Sequence, residues 1–424
     1  MALLKRSDRP NRSGRGNRLR AAALGGLLLA AVALPAHGAE PRSLAPGTAF
    51  TPLTGSLLTT PAPFEGADSK IHLSYELITT NAVGSAPVRL DRLEIRDAQS
   101  RRVLAALDPA ALAGAANPVG GPSPATEDGP AARGGRATAT VLAGSSQWIV
   151  WIDFTLDPAD PVPTAIEHHL DGTLLLPAGD RPFEETITRT DLAHRPPPTL
   201  AAPVPAGTWY ASEGCCDNTH HRRGLAPING VLDVPQRFAI DWFRVGADQQ
   251  TWQGDPGRLE SYLSFRQPVL AAARARVVEV QDGLPDNPPP VPPTIPPIED
   301  TVGNHLTLEV APGEYLLYAH LEAGSLTVHE GDCVEPGQQL ALIGNSGNST
   351  TPHLHFQVMT TREFFPTDSP PYTFRSFEVT GQVVPRIWDD NLGLQPTGVL
   401  PVSPSPYAGH HHAQLPLDRN IVVF

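Results

Sequence analysis

The sequence has 424 residues, 40% of them hydrophobic, with 37 glycines, 47 prolines and a formal charge of −13. At roughly 100–200 residues per domain there is room for two or three domains, and the apolar fraction is enough to build cores, which excludes a disordered scaffold. Seven of the 31 Lys/Arg fall within residues 1–39, so the rest is more acidic than the total. A surface of that sign repels phosphate backbones, which excludes nucleic acid as a partner.

The N-terminal basic stretch ends at Arg20. The uncharged apolar run Ala21 to Ala36 and the small residues Gly38-Ala39 follow. This is the pattern of a secretory signal over residues 1–39. The run is short for a membrane span, which needs about 20 apolar residues. The expectation is a mature chain with no stable membrane insertion after cleavage, secreted or periplasmic, in the cell envelope.

Residues 45–195 read as short strands. Ile71–Leu77 and Val88–Ile95 alternate with period two, and Gln147–Phe154 is rich in β-formers. Strands at this spacing, with Gly/Pro/Asn turns between them, predict an immunoglobulin-like β-sandwich. His168 and His169 are neighbours on one of these segments, so they face opposite sides. A Pro-rich linker, 196–206, separates this domain from a second at 207–385, with a C-terminal extension at 386–424. The run Pro288–Pro297 cannot be a central strand and reads as a surface loop interrupting the second domain. Of the three cysteines, one of the pair Cys215/Cys216 is expected to bridge to Cys333. No Cys-x-x-Cys zinc pattern is present.

Chemistry concentrates near the end of the second domain. A Gly/Asn/Ser-rich loop, Gly344–Thr351, leads into Pro352-His353-Leu354-His355-Phe356. On a strand, residues two apart face the same side, so both imidazoles enter one cavity. Upstream, Tyr315–Leu321 is a β-run carrying His320, followed by Gly331-Asp332-Cys333-Val334-Glu335-Pro336-Gly337-Gln338. Tyr-Ala-His-Leu, Gly-Asp-x-Val-x-x-Gly-Gln, Gly-Asn-Ser-Gly and Pro-His-Leu-His-Phe, in that order, resemble the lysostaphin/LytM-type zinc endopeptidase family. The resemblance runs from about Arg237 to Val358 and includes Gln267–Ala272.

The resemblance implies a mostly β chain whose second domain is an antiparallel β-sheet groove with Zn2+ at its floor. It also implies a peptidoglycan or peptide substrate. Carried over residue by residue, His355 and Asp241 are metal ligands, while His320 and His353 work on water and oxyanion. The chain departs from the pattern at Arg237, four residues before Asp241, where the family has a ligating His. A guanidinium has no lone pair for a metal. The nearby pair His220-His221 can supply the third ligand, with a hairpin through Pro227–Gly230 returning a His221-bearing strand beside Asp241. His221 is preferred and His220 stays open. The alternative is a metal-free, degenerate binding or regulatory module. The sequence carries no signal for an oligomeric state.

Overall fold

The computed structural model describes residues 50–121, 140–216, 218–291, 293–294, 296–384 and 398–424. The expected signal segment, 1–39, lies outside the described residues. The chain divides into Met1–Phe50 and Thr51–Phe424, and all that follows concerns the second unit.

The fold is mostly β. Its N-terminal half stacks two antiparallel sheets. One contains β1 (Ile71–Asn81) beside β3 (Gln147–Leu156). The other contains β2 (Val88–Asp97) beside β4 (Ala165–Leu174), with β5 (Arg181–Asp191) at its edge. Leu73, Tyr75 and Leu77 of β1 meet Leu90, Leu93 and Ile95 of β2 between the sheets. That is the sandwich expected from period-two alternation. His168 points into this core, where its Nε2 is 2.9 Å from the Tyr75 hydroxyl. His169 lies on the outer face near Asp171 and Glu184.

The opposite face of β1 carries His72, Ser74, Glu76 and Ile78, and alternation alone would give these residues to solvent. They are buried as well. Ile78, Ile149 and Trp151 form an apolar cluster with Val234 from the second half.

The second half is built on a twelve-stranded sheet. Its nine longer strands are β6 (Thr208–Ser212), β7 (Ile240–Arg244), β8 (Ala275–Gln281), β9 (Asn304–Ala311), β10 (Glu314–Leu321), β11 (Leu354–Met359), β12 (Thr373–Val383), β13 (Gly409–Gln414) and β14 (Asn420–Val423), and three two-residue strands complete it. Along the sheet the order is β12-β14-β6-β7-β11-β10-β9-β8, and β13 also pairs with β12. Residues 398–424, within the expected C-terminal extension, contribute strands to this sheet. The strand β14 sits between β12 and β6, and its Ile421 and Val422 are buried. In the expected linker, Thr199–Leu200 pairs in parallel with β12.

The Pro-rich insertion joins β8 to β9 outside the ladders, as its composition requires. Its base is tied to the Gly344–Thr351 loop, since the Asn287 amide donates to the Gly347 and Ser349 carbonyls at 2.7 and 3.0 Å. The cysteine expectation is overturned. Cys215 and Cys216 form a vicinal disulfide with each other, and Cys333 is free and exposed.

Candidate metal centre

Strand register places the first two groups. Asp241 of β7 stands directly opposite His355 of β11. Directly opposed residues have Cβ atoms about 4.5–5.5 Å apart, within reach of each other's side chains. Ile240, Trp242, Leu354 and Phe356 fill the core behind them, so period two turns Asp241, Phe243, His353, His355 and Gln357 to the other face. His355 Nδ1 lies 2.9 Å from Asp241 Oδ1.

The third group arrives on a helical turn, His220–Arg223, and not on the strand expected from sequence. Thr219 caps it by accepting the Arg222 N–H on its hydroxyl at 3.1 Å. Glu213 accepts the His220 N–H at 2.6 Å. The hairpin expected between the turn and β7 is present, Ala226–Ile228 with Val231–Asp233. Its two-residue loop, Asn229-Gly230, has φ +50° and +81°, the left-handed pair a type I′ turn demands. Of the two candidate histidines, His220 is exposed and faces Glu213. His221 is buried, with Nε2 3.5 Å from Asp241 Oδ2. One donor atom each from His221, Asp241 and His355 fall within 4.8 Å of one another.

Arg237 is buried well away from this role. Its guanidinium binds both oxygens of Glu76 and also Asp368.

His320 and His353 stand beside the trio, with ring centroids 4.9 Å apart. His353 Nε2 is 3.4 Å from Asp241 Oδ2. Its ring stacks on Phe243 at 5.1 Å. His320 follows Ala319, which pairs with His355, so strict alternation would send His320 into the core. Instead its φ is +62°, a left-handed backbone, rare for a residue with a Cβ, that turns the side chain to the site. A register shift opposite, between Asn304 and Leu306, accompanies it. The Gly344–Thr351 loop then closes over the ring. Gly347 and Gly303 pack so tightly that a Cβ on Gly347 would lie 2.3 Å from the Gly303 nitrogen.

Hydrogen bonds fix which nitrogen each ring presents. The Nδ1–H of His221 donates to the Ala239 carbonyl at 3.3 Å, that of His320 to Ser346 at 2.8 Å and that of His353 to Thr351 at 2.7 Å. All three aim Nε2 inward. His355 is reversed, its Nε2–H donating to Gln357 Oε1 at 2.8 Å while the Gln357 amide donates to the Pro235 carbonyl at 2.8 Å. Gln357 was missed by the sequence reading, although its place two residues past His355 on the same strand face is a usable signal.

Charge follows from burial. Burial alone would raise Asp241, but the facing His353 and His221 imidazoles and the bonds from His353 and His355 hold it well below the usual carboxylate range. Burial pushes His221 down. Burial, reinforced by His353 and His355, pushes His320 well below its ordinary value. His353 is lowered by burial but raised further by the Asp241 carboxylate beside it, for a net rise.

These residues fit a metal of the zinc type. Two imidazole nitrogens, His221 Nε2 and His355 Nδ1, meet an ionised carboxylate, and each ring has its other nitrogen satisfied by an acceptor. The 3.5 Å between His221 and Asp241 is close to the edge, roughly 3.4 Å, of a tetrahedron with bonds near 2.1 Å. His305 takes no part, with its Nδ1 bonded to the Gly303 carbonyl at 2.7 Å.

Residues 262–366 match the family model for peptidase family M23. Over that stretch the chain is similar to the M23 peptidases. The matched stretch holds His320, His353 and His355, while His221 and Asp241 lie N-terminal to it. Among solved structures, the catalytic domain of lysostaphin from Staphylococcus simulans is 21% identical, over 39% of this chain and 89% of that one, at a TM-score of 0.23. A zinc-containing peptidase from Vibrio cholerae is 15% identical over 73% and 83%, at 0.24. The catalytic domain of a prophage-encoded M23 protein, EnpA, from Enterococcus faecalis is 20% identical over 28% and 85%, at 0.18.

Proposed function

We propose that the chain is a secreted, zinc-dependent endopeptidase acting on the peptide bonds of cell-wall peptidoglycan, with residues 1–39 as its export signal. The observation that carries this reading is the convergence of His221, Asp241 and His355 beside His320 and His353. The match of residues 262–366 to peptidase family M23 supports it.

In this reading His221, Asp241 and His355 hold the metal, and Arg237 has no part in coordination. When bound, zinc lowers the pKa of a water toward ~7 and polarises the scissile carbonyl. His320 and His353 share one cavity with Nε2 turned inward, so one accepts the proton of the attacking water there. The other, protonated at Nε2 from the start, donates a hydrogen bond to the oxygen that becomes anionic and keeps that proton. The proton taken from the water then passes from the first histidine to the leaving amine. Each such group is typically worth roughly 10²-fold or more in rate. The Ser346 and Thr351 carbonyls accept from Nδ1–H of the two rings and so turn Nε2 of each into the site.

The test is incubation of the zinc-loaded mature chain with purified sacculi, following the release of new amino groups. Release that a chelator abolishes and zinc restores supports the reading. Binding to sacculi without release, in a chain that takes up no metal, would favour the metal-free module instead.

A further inference from the structure

The helical turn that delivers His221 does not rest on its own half of the molecule. Arg222, the next residue, is fully buried against the sandwich. Its guanidinium pairs with Glu76 of β1, bonds Asp153 of β3 at 3.2 Å, and donates to the Tyr75 and Ile152 carbonyls at 3.0 and 3.2 Å. It also lies 5.3 Å from the centre of the Trp151 ring, and Arg223 lies 5.0 Å from the same ring. Glu76 is itself fully buried and holds the second arginine, Arg237, through both carboxylate oxygens at 2.7–3.2 Å. Arg237 begins the segment that runs through Ala239, whose carbonyl orients His221, to Asp241. One carboxylate of the sandwich thus grips the chain beside one metal-site residue and just ahead of another. A further contact comes from the loop before the turn, where Cys216 Sγ lies 3.6 Å from His72 Nδ1, also on β1.

Resting on the metal-site reading above, we infer that Glu76 is a positioning residue of the metal centre, acting through Arg222 and Arg237, and that the β-sandwich completes the site rather than serving only as a separate targeting module. Arg237 occupies the place where the M23-type sequence pattern has a ligating histidine. The chain uses that position to anchor Asp241's segment to Glu76, and it brings the third nitrogen from a turn that Glu76 also anchors. Asp153 and Asp368 hold one edge of Arg222 and Arg237 respectively, but Glu76 is the fully buried carboxylate common to both forks, and removing a partner from a buried guanidinium is costly. Groups that orient ligands from outside the coordination shell typically change metal affinity by about 10–100-fold when removed.

The test uses the full mature chain as wild type, as Glu76→Gln and as Leu93→Ala. The last opens a cavity in the sandwich core far from the turn, and so reports on stability loss alone. Co2+ affinity is read by chelator competition, and site geometry by the intensity of the visible Co2+ absorption. Glu76→Gln is expected to bind Co2+ at least about tenfold more weakly, with a diminished visible band. Leu93→Ala should lose thermal stability yet keep the wild-type affinity and spectrum. Equal Co2+ binding by Glu76→Gln and wild type, or equal losses in both variants, overturns the inference. Should Glu76→Gln fail to fold, Arg222→Lys keeps the charge but loses the fork, and is expected to weaken Co2+ binding likewise; unchanged binding overturns the inference. A wild-type chain that takes up no Co2+ overturns the functional reading and this inference together. Wild-type uptake with an indifferent Glu76→Gln overturns this inference alone.

Discussion

His221 Nε2 lies 3.5 Å from Asp241 Oδ2, although a complete hairpin separates the two in the chain. The tight turn at Asn229-Gly230 sends the chain back on itself, so a helical turn and the strand β7 can offer groups to one point. His355 meets the same carboxylate from the next strand of the ladder, 2.9 Å away. The carboxylate is thus approached from two sides by imidazoles whose lone pairs are fixed by hydrogen bonds elsewhere.

The two histidines of His-x-His should separate under substitution. His355→Ala removes a ligand and is expected to abolish stoichiometric zinc. His353→Ala leaves His221, Asp241 and His355 intact, so zinc should remain while hydrolysis falls roughly 10²-fold or more. Metal analysis and a peptide-release assay on the same preparations check this. Equal metal and equal activity in both variants would mean that the pair is not the site.

Gln357 tests how far the hydrogen-bond shell matters. Gln357→Leu keeps the volume but strips the acceptor from His355 Nε2–H and the donor from the Pro235 carbonyl. Zinc affinity, measured by chelator competition, should drop about 10–100-fold with the fold retained. Wild-type affinity in this variant would show that β7 and β11 hold His355 unaided.

Much of this site was legible in the sequence, and the reasons are local. His-x-His on a strand, Asp241 within an apolar alternation and Asn-Gly between short β-runs are all signals of short range. His320 was legible as a residue, but its left-handed backbone was not, because a bulge between strands depends on the partner strand. Nothing in Ile71–Asn81 announces that Arg222 and Arg237 will cover Glu76 on the polar face of β1. Long-range ion pairs have no period. The strands at Gly409–Gln414 and Asn420–Val423 were hidden for a similar reason: a Gly/His-rich segment becomes a strand only where an existing edge recruits it. Cys215 and Cys216 could be paired only by seeing the loop that holds them.

A buried carboxyl in the sandwich gives a prediction in pH. Glu185 accepts the Leu53 N–H on Oε1 at 3.0 Å, and Oε2 has no partner among the described residues. Burial pushes it from 4.5 up to about 7, against the opposing bond from Leu53. The folded chain therefore holds this proton more tightly than the unfolded one. Its stabilising contribution is complete below pH 4.5 and is lost as pH rises through about 7. Glu185→Gln should match the wild type near pH 4.5 and exceed it by about 1–3 kcal/mol at pH 8. Thermal midpoints of both chains across that range decide it, and a difference that does not vary with pH would contradict the assignment.

The account stands on His221 as the third metal ligand in place of the residue at Arg237. Zinc content per chain, measured by elemental analysis of the purified mature protein and of its His221→Ala and His220→Ala variants, tests this most directly. The account predicts about one zinc in the wild type and in His220→Ala, and none retained in His221→Ala, because two ligands fall below the three that catalytic zinc sites use. A full complement of zinc in His221→Ala, or its loss in His220→Ala alone, would contradict it.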